Sequence, residues 1–176
     1  WGTALAIHLA GKFRQISLWV YEEDLCDTLA QSRENTWFLP GHILPNNIRA
    51  TTSIEEAIKG QSIILLVVPT HVIRKTLSQI KPFLFKTCLF ICANKGIEND
   101  TLFTTHQIFQ DVLDVPYSMA SISGPTFAKE VASGVPSALV ASAETLATAS
   151  QVQELFSTDS MKVFTSTDLM GVEIGG

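Results

Sequence analysis

The feature that most constrains this chain is its rhythm: short apolar runs of strand length alternate with longer amphipathic segments from one end to the other. ISLWVY from Ile16, IRATTS from Ile48, SIILLVV from Ser62, TCLFICAN from Thr87, YSMASIS from Tyr117, PSALVAS from Pro136 and KVFTSTD from Lys162 read as strands. The segments between them, such as EEDLCDTLAQSR with Leu25 and Leu29 at i, i+4, and THVIRKTLSQIKPFL, read as helices. WGTALAIHLAGK at the front places small and apolar residues after Gly2 at helical spacing, so it too reads as a helix. SIILLVV is apolar along almost its whole length, as a parallel strand covered on both faces must be. The chain is therefore expected to be α/β, with a mainly parallel sheet, helices on both faces and right-handed crossovers. Ser53 and Glu56 predict a capping box, DTLFTTHQIFQDVL a helix from Asp100, and Pro125 the first turn of PTFAKEVASG.

Length and composition narrow the classes. The 176 residues suit one domain with a sizeable core, or one domain and part of another. Apolar residues make up 46% and charged residues 16%, the balance of a globular chain. A formal charge of -5 argues against nucleic acid or an anionic membrane as the main partner, but not against a small anion held by a few local donors. The longest uninterrupted apolar run is too short to cross a bilayer, and FLFKTCLFICA is interrupted by Lys86. Cys88 and Cys92 lie four residues apart on one strand, about 13 Å, too far to bridge and too few for a metal. With Cys26 they read as free thiols in a reducing cytoplasm, and no metal site is expected.

Ligands of open parallel sheets bind beyond the carboxyl ends of the strands. Three stretches there should converge: Pro69-Thr70-His71 after SIILLVV, NKGIE after TCLFICA, and SGPT after YSMASI. Lys95 in NKGIE either presents an ammonium to phosphate or a polarised carbonyl, or is a solvated loop lysine. Gly124, Pro125 and Thr126 offer either an anion site of free N–H groups and a hydroxyl, or ordinary capping by Ser123 or Thr126. His71 is either an acid–base group or a solvent-facing residue at a helix start. Gly2 could be the third glycine of a dinucleotide fingerprint, whose first strand and first two glycines would then precede Trp1. Glu22, with Glu23 and Asp24, either binds a ribose 2′-hydroxyl or complements a helix dipole. Asp168 and Glu173 are too isolated in sequence to assign.

Taken in order, WGTALA, NTWFLPGHILPNNI, VVPTHVIR, NKGIE, SGPTFAKEVASGVPSA and STDLMGVEIGG resemble the N-terminal domain of bacterial-type NAD(P)-dependent glycerol-3-phosphate dehydrogenases, along the whole chain. The resemblance implies a Rossmann-like domain over residues 1–176, lacking its first strand and followed by a helical substrate domain. It implies reversible hydride transfer between NAD(P)H and dihydroxyacetone phosphate, giving sn-glycerol 3-phosphate for phospholipid synthesis in the cytoplasm. Carried over by motif, Trp1, Gly2, Tyr21, Glu22, Phe38, Pro69, Lys95 and Ala128 would line the cofactor, with Lys95, Gly124 and Thr126 on the substrate.

Two departures matter. Tyr21 stands where the family often has an Arg suited to a 2′-phosphate, and Glu22 follows it, which leans the choice towards NAD over NADP. The family's catalytic Lys, donor and acceptor of the proton at the substrate oxygen, would lie beyond Gly176, so the 176-residue chain alone is expected to be inactive. The resemblance leaves room for a homodimer of the complete protein. The alternatives are a related dehydrogenase of a hydroxy acid or phosphosugar acid, and a nucleotide-binding module without catalysis.

Overall fold

The computed structural model describes residues 1–84 and 87–175. Lys86 and the last glycine of GVEIGG therefore lie outside the described residues. In chain order the elements are α1 (Gly2–Leu9), β1 (Ile16–Trp19), α2 (Glu23–Ser32), β2 (Ile48–Thr51), α3 (Ile54–Ile58), β3 (Ile63–Leu66), α4 (Thr70–Ile80), β4 (Cys88–Cys92), α5 (Thr105–Val112), β5 (Tyr117–Ser123), α6 (Ala128–Ala132), β6 (Ser137–Ala143), α7 (Leu146–Phe156), β7 (Met161–Ser166) and α8 (Leu169–Gly175). A single 3₁₀ turn, Lys81–Phe83, follows α4. The expected α/β alternation is present throughout.

Two sheets form, β1-β2 and β3-β4-β5-β6-β7. Every pairing is parallel except β5 with β6, which is antiparallel. The register Leu66↔Cys92 and Cys92↔Ser121 brings the carboxyl ends of β3, β4 and β5 to one edge of the larger sheet. β4 is buried at every residue, and its alternation divides the core in two. Leu89 and Ile91 pack with Leu5, Leu139, Val152 and Phe156 on one face. Phe90 packs with Ile73, Leu77 and Phe109 on the other, its ring edge-on to Phe109 at 5.0 Å. Cys88 and Cys92 are buried in this strand, and burial pushes the Cys92 thiol well above its ordinary value, with the Glu173 charge adding to the shift.

Three local expectations need correction. The helix drawn from Asp100 begins at Thr105, because Thr104 and Gln107 form a capping box and Leu102 has φ 59, which no helix continues. Pro125 lies outside α6: Phe127 is the residue before the helix, and the Thr126 N–H already donates to the Gly124 carbonyl at 2.9 Å. Ser53 does cap α3 by accepting the Glu56 N–H, but the Glu56 carboxylate accepts the Thr51 hydroxyl instead of closing the box. The last element, α8, runs to Gly175, and Asp168 before it accepts the Gly171 N–H at 2.9 Å.

Between β1 and β3 runs a groove of about 330 Å³. Ile16–Trp19 and Ile63–Leu66 line it, together with Gly2, Ala6 and Leu9 of α1 and with Ile54, Ile58, Thr76 and Ile80. Among the described residues β1 is paired only with β2 and β3 only with β4. The groove is thus lined by two strands and by mostly apolar side chains from the helices around it.

Candidate functional site at the carboxyl edge of the sheet

NKGIE turns directly off the buried β4 strand, so its first polar residues are held close to the sheet. Lys95 is exposed and, among the described residues, has no ion-pair or hydrogen-bond partner for its ammonium. Its backbone, by contrast, is fixed. The Thr70 hydroxyl at the start of α4 donates to the Lys95 carbonyl at 2.6 Å, and the Asn94 amide donates to Thr70 Oγ1 and to Thr105 Oγ1. Gly96 then takes φ 93, which a residue with a side chain rarely adopts. One turn further along α4, Arg74 donates through Nε and Nη2 to the two oxygens of Glu98, both at 2.9 Å, and through Nη1 to Asp111. Thr101 also donates to Glu98, and these hydrogen bonds, Arg74 first, hold its carboxyl below the usual carboxylate range.

Gly124 directly follows β5 and lies against β6. A Cβ there would lie 2.5 Å from the Ala138 carbonyl oxygen and 3.1 Å from Leu139 Cα, so only glycine fits without moving backbone. The engaged Thr126 N–H removes one donor from the predicted anion site, leaving its partly exposed hydroxyl. α6, beginning at Ala128, packs against α1. Trp1 precedes α1 and packs on the core face shared with β4. Gly2 faces β3: a Cβ there would meet Val67 at 3.6 Å, an ordinary contact, so the close approach does not require glycine.

The remaining expected cofactor residues are surface ones. Phe38 is 64% exposed, and its N–H donates to Asn35, whose amide donates to Thr3 of α1, tying this loop to the helix start. Tyr21 is 74% exposed and lies edge-on to Trp19 at the end of β1. Glu22 precedes α2 without capping it through its side chain. Pro69 occupies the position before α4 and is exposed, as is His71, which takes no part in the network around Lys95. Glu173, unassigned from sequence, accepts the Ser121 hydroxyl at 2.7 Å and the His106 backbone N–H, linking α8 to β5 and α5. Among the described residues no group of three or more His, Cys, Asp or Glu could hold a metal ion, and no helix is long and apolar enough to cross a membrane.

The family described as NAD-dependent glycerol-3-phosphate dehydrogenase N-terminus matches residues 1–149. The chain belongs to this family. It is 42% identical over 178 residues to a glycerol-3-phosphate dehydrogenase [NAD(P)+] of Citrifermentans bemidjiense, and 43% identical over 181 residues to one of Desulfotalea psychrophila. Each alignment covers 100% of this chain and 53% of the relative, so the chain spans about half the length of the curated relatives it matches. The crystal structure of glycerol-3-phosphate dehydrogenase from Coxiella burnetii superposes with a TM-score of 0.92 at 29% identity, over 98% of this chain and 53% of that one. The fold is thus the Rossmann-like fold of the dehydrogenase family.

A dinucleotide suits the residues present at α1. Its first turn carries no acid, Trp1 offers no side-chain cap, and the first backbone bond runs from Leu5 N–H to the Trp1 carbonyl. The N–H groups of Gly2, Thr3 and Ala4 therefore have no acceptor among the described residues, the donor set a pyrophosphate takes at a helix start. Sequence reasoning passed over Thr70, Arg74, Asn94 and Glu98 as functional residues. The signal was available: THVIR puts Thr70 and Arg74 on one face of a helix, and NKGIE puts Asn94 and Glu98 on either side of Lys95.

Proposed function

We propose that the whole protein carrying this chain catalyses reversible hydride transfer between a nicotinamide cofactor and dihydroxyacetone phosphate, giving sn-glycerol 3-phosphate. The observation that carries this reading is Lys95: an ammonium without a partner among the described residues, on a rigid backbone, at the sheet edge where β3, β4 and β5 end. Such a charge can bind the substrate phosphate or stabilise negative charge developing on the carbonyl oxygen as it is reduced. Gly124 and the Thr126 hydroxyl stand on the adjacent strand end and would complete the substrate site. The cofactor supplies the hydride; Trp1, Gly2, Phe38, Pro69, Lys95 and Ala128 would hold it in register with the substrate. Exposed Tyr21, followed by Glu22, offers an acceptor for a ribose 2′-hydroxyl and no cation for a 2′-phosphate, which supports NAD over NADP.

The same reading places the proton-transferring lysine after Gly176 and a strand in the groove between β1 and β3. It further assigns the product to phospholipid synthesis and the protein to the cytoplasm, and leaves room for a homodimer. The test is turnover of the complete protein with NADH against dihydroxyacetone phosphate and a panel of 2-keto acids and phosphosugar acids. Preference for dihydroxyacetone phosphate is expected; preference for any acid of the panel would sink the substrate assignment. Paired kinetics with NADH and NADPH decide the cofactor, a preference of about tenfold or more for NADPH contradicting the NAD reading.

A further inference from the structure

We propose that Arg74 is a positioning residue for Lys95, acting through Glu98 and the turn between them. The inference rests on the role given to Lys95 above. Thr70 and Arg74 stand one turn apart on the same face of α4 and hold the two ends of the segment Lys95–Glu98. Thr70 holds the first end by a backbone carbonyl, and Arg74 holds the second by a two-point fork onto a carboxylate. The intervening Gly96 adopts φ 93, and an added Cβ there would lie 3.9 Å from Thr70 Oγ1, so the turn sits against the same helix face.

A staple that only joined α4 to α5 would need no more than the pair Arg74–Asp111. That pair is the more exposed one: the Asp111 side chain is 53% accessible, against 11% for Glu98. Glu98 is also bound on every side. Besides the fork it accepts the Thr101 hydroxyl, its N–H donates to the Phe103 carbonyl, and its own carbonyl accepts the Leu102 N–H. Removing the guanidinium leaves a buried carboxylate with one hydroxyl donor, and the carboxylate must turn towards water. Three residues away, Lys95 moves with it, and misplacement of a reacting group by about 1 Å costs on the order of 100-fold.

The experiment is a double-mutant cycle on kcat/KM of the complete protein with dihydroxyacetone phosphate and NADH. Arg74→Ala is expected to lose on the order of 30-fold in the otherwise unchanged enzyme, yet less than about 3-fold in a Lys95→Ala background. Arg74→Lys, which keeps the charge but not the fork, should recover only part of that loss, on the order of 10-fold below the parent. Should Arg74→Ala not fold, Glu98→Gln and Arg74→Lys are taken through the same cycle. Equal losses in both backgrounds, or parental kcat/KM for the Arg74 variants, would overturn the positioning role. Near-normal kinetics for Lys95→Ala alone would sink the Lys95 reading and the inference with it, whereas a severe Lys95→Ala loss with additive Arg74 losses sinks the inference only.

Discussion

Two regions flank β3, and they are finished to different degrees. On its β4 side the carboxyl edge is self-contained: Thr70, Arg74, Asn94, Glu98 and Thr105 fix the Lys95 turn with bonds drawn from α4, α5 and the turn itself. On its β1 side lies the groove, with two strands, each paired once among the described residues, facing a mostly apolar space. The contrast separates two kinds of pre-organisation. A charged side chain can be aimed by local hydrogen bonds, which this chain supplies by itself. The register of β1 against the larger sheet rests on less direct contacts, among them those that α1 and α3 make with β1.

The largest effect expected is on the finished side. Lys95→Ala in the complete protein should lower kcat/KM by on the order of 100-fold or more, read by NADH oxidation with dihydroxyacetone phosphate. Parental kinetics would mean that the rigid edge holds nothing of catalytic consequence. Gly124→Ala comes next: the added Cβ collides with backbone, not with a movable side chain, and should cost about 1–3 kcal/mol in denaturant unfolding. A neutral result would show that the β5–β6 end is as yielding as the groove.

Glu98→Gln sharpens the comparison through pH. The Glu98 carboxyl is held below its usual range when folded, so its contribution is complete above the unfolded carboxyl value and is lost as pH falls through the lower, folded one. The gap in stability between parent and variant should be about 2 kcal/mol at pH 7 and close as the medium is acidified below about pH 4. A gap that stays constant from neutral to acid pH would remove the charge from the account. Smallest is Gly2→Ala on the groove side. Its Cβ meets Val67 at an ordinary distance, so stability without cofactor should change by less than about 0.5 kcal/mol. A loss comparable to that of Gly124→Ala would show the α1–β3 contact to be tighter than its geometry.

What could be read in advance follows the same division. Strand and helix alternation was legible because β4 and β3 carry almost uninterrupted apolar residues and the helices keep their periodicity. Convergence of Pro69, Lys95 and Gly124 on one edge followed from parallel strands alone, and the pairing β3-β4-β5 provides it. Helix starts were misread where side chains compete for the same amides: Thr104 with Gln107 outbids the acid at Asp100, and the Gly124–Thr126 turn displaces Pro125 from α6. The reversal of β6 has no local signal, since PSALVAS reads the same in either direction. Glu173 shows the limit most plainly, because its partners Ser121 and His106 lie 52 and 67 residues away in sequence.

Leu102 carries a consequence for engineering. It holds φ 59 and is 66% exposed, and it closes the turn by returning its N–H to the Glu98 carbonyl. A branched apolar residue in the left-handed region costs roughly 1 kcal/mol, and here little burial offsets it. Asparagine accepts that backbone conformation far more readily. The turn that fixes Lys95 is therefore a place where thermostability can be raised by taking a hydrophobic side chain away, with every bond from α4 to the turn left in place.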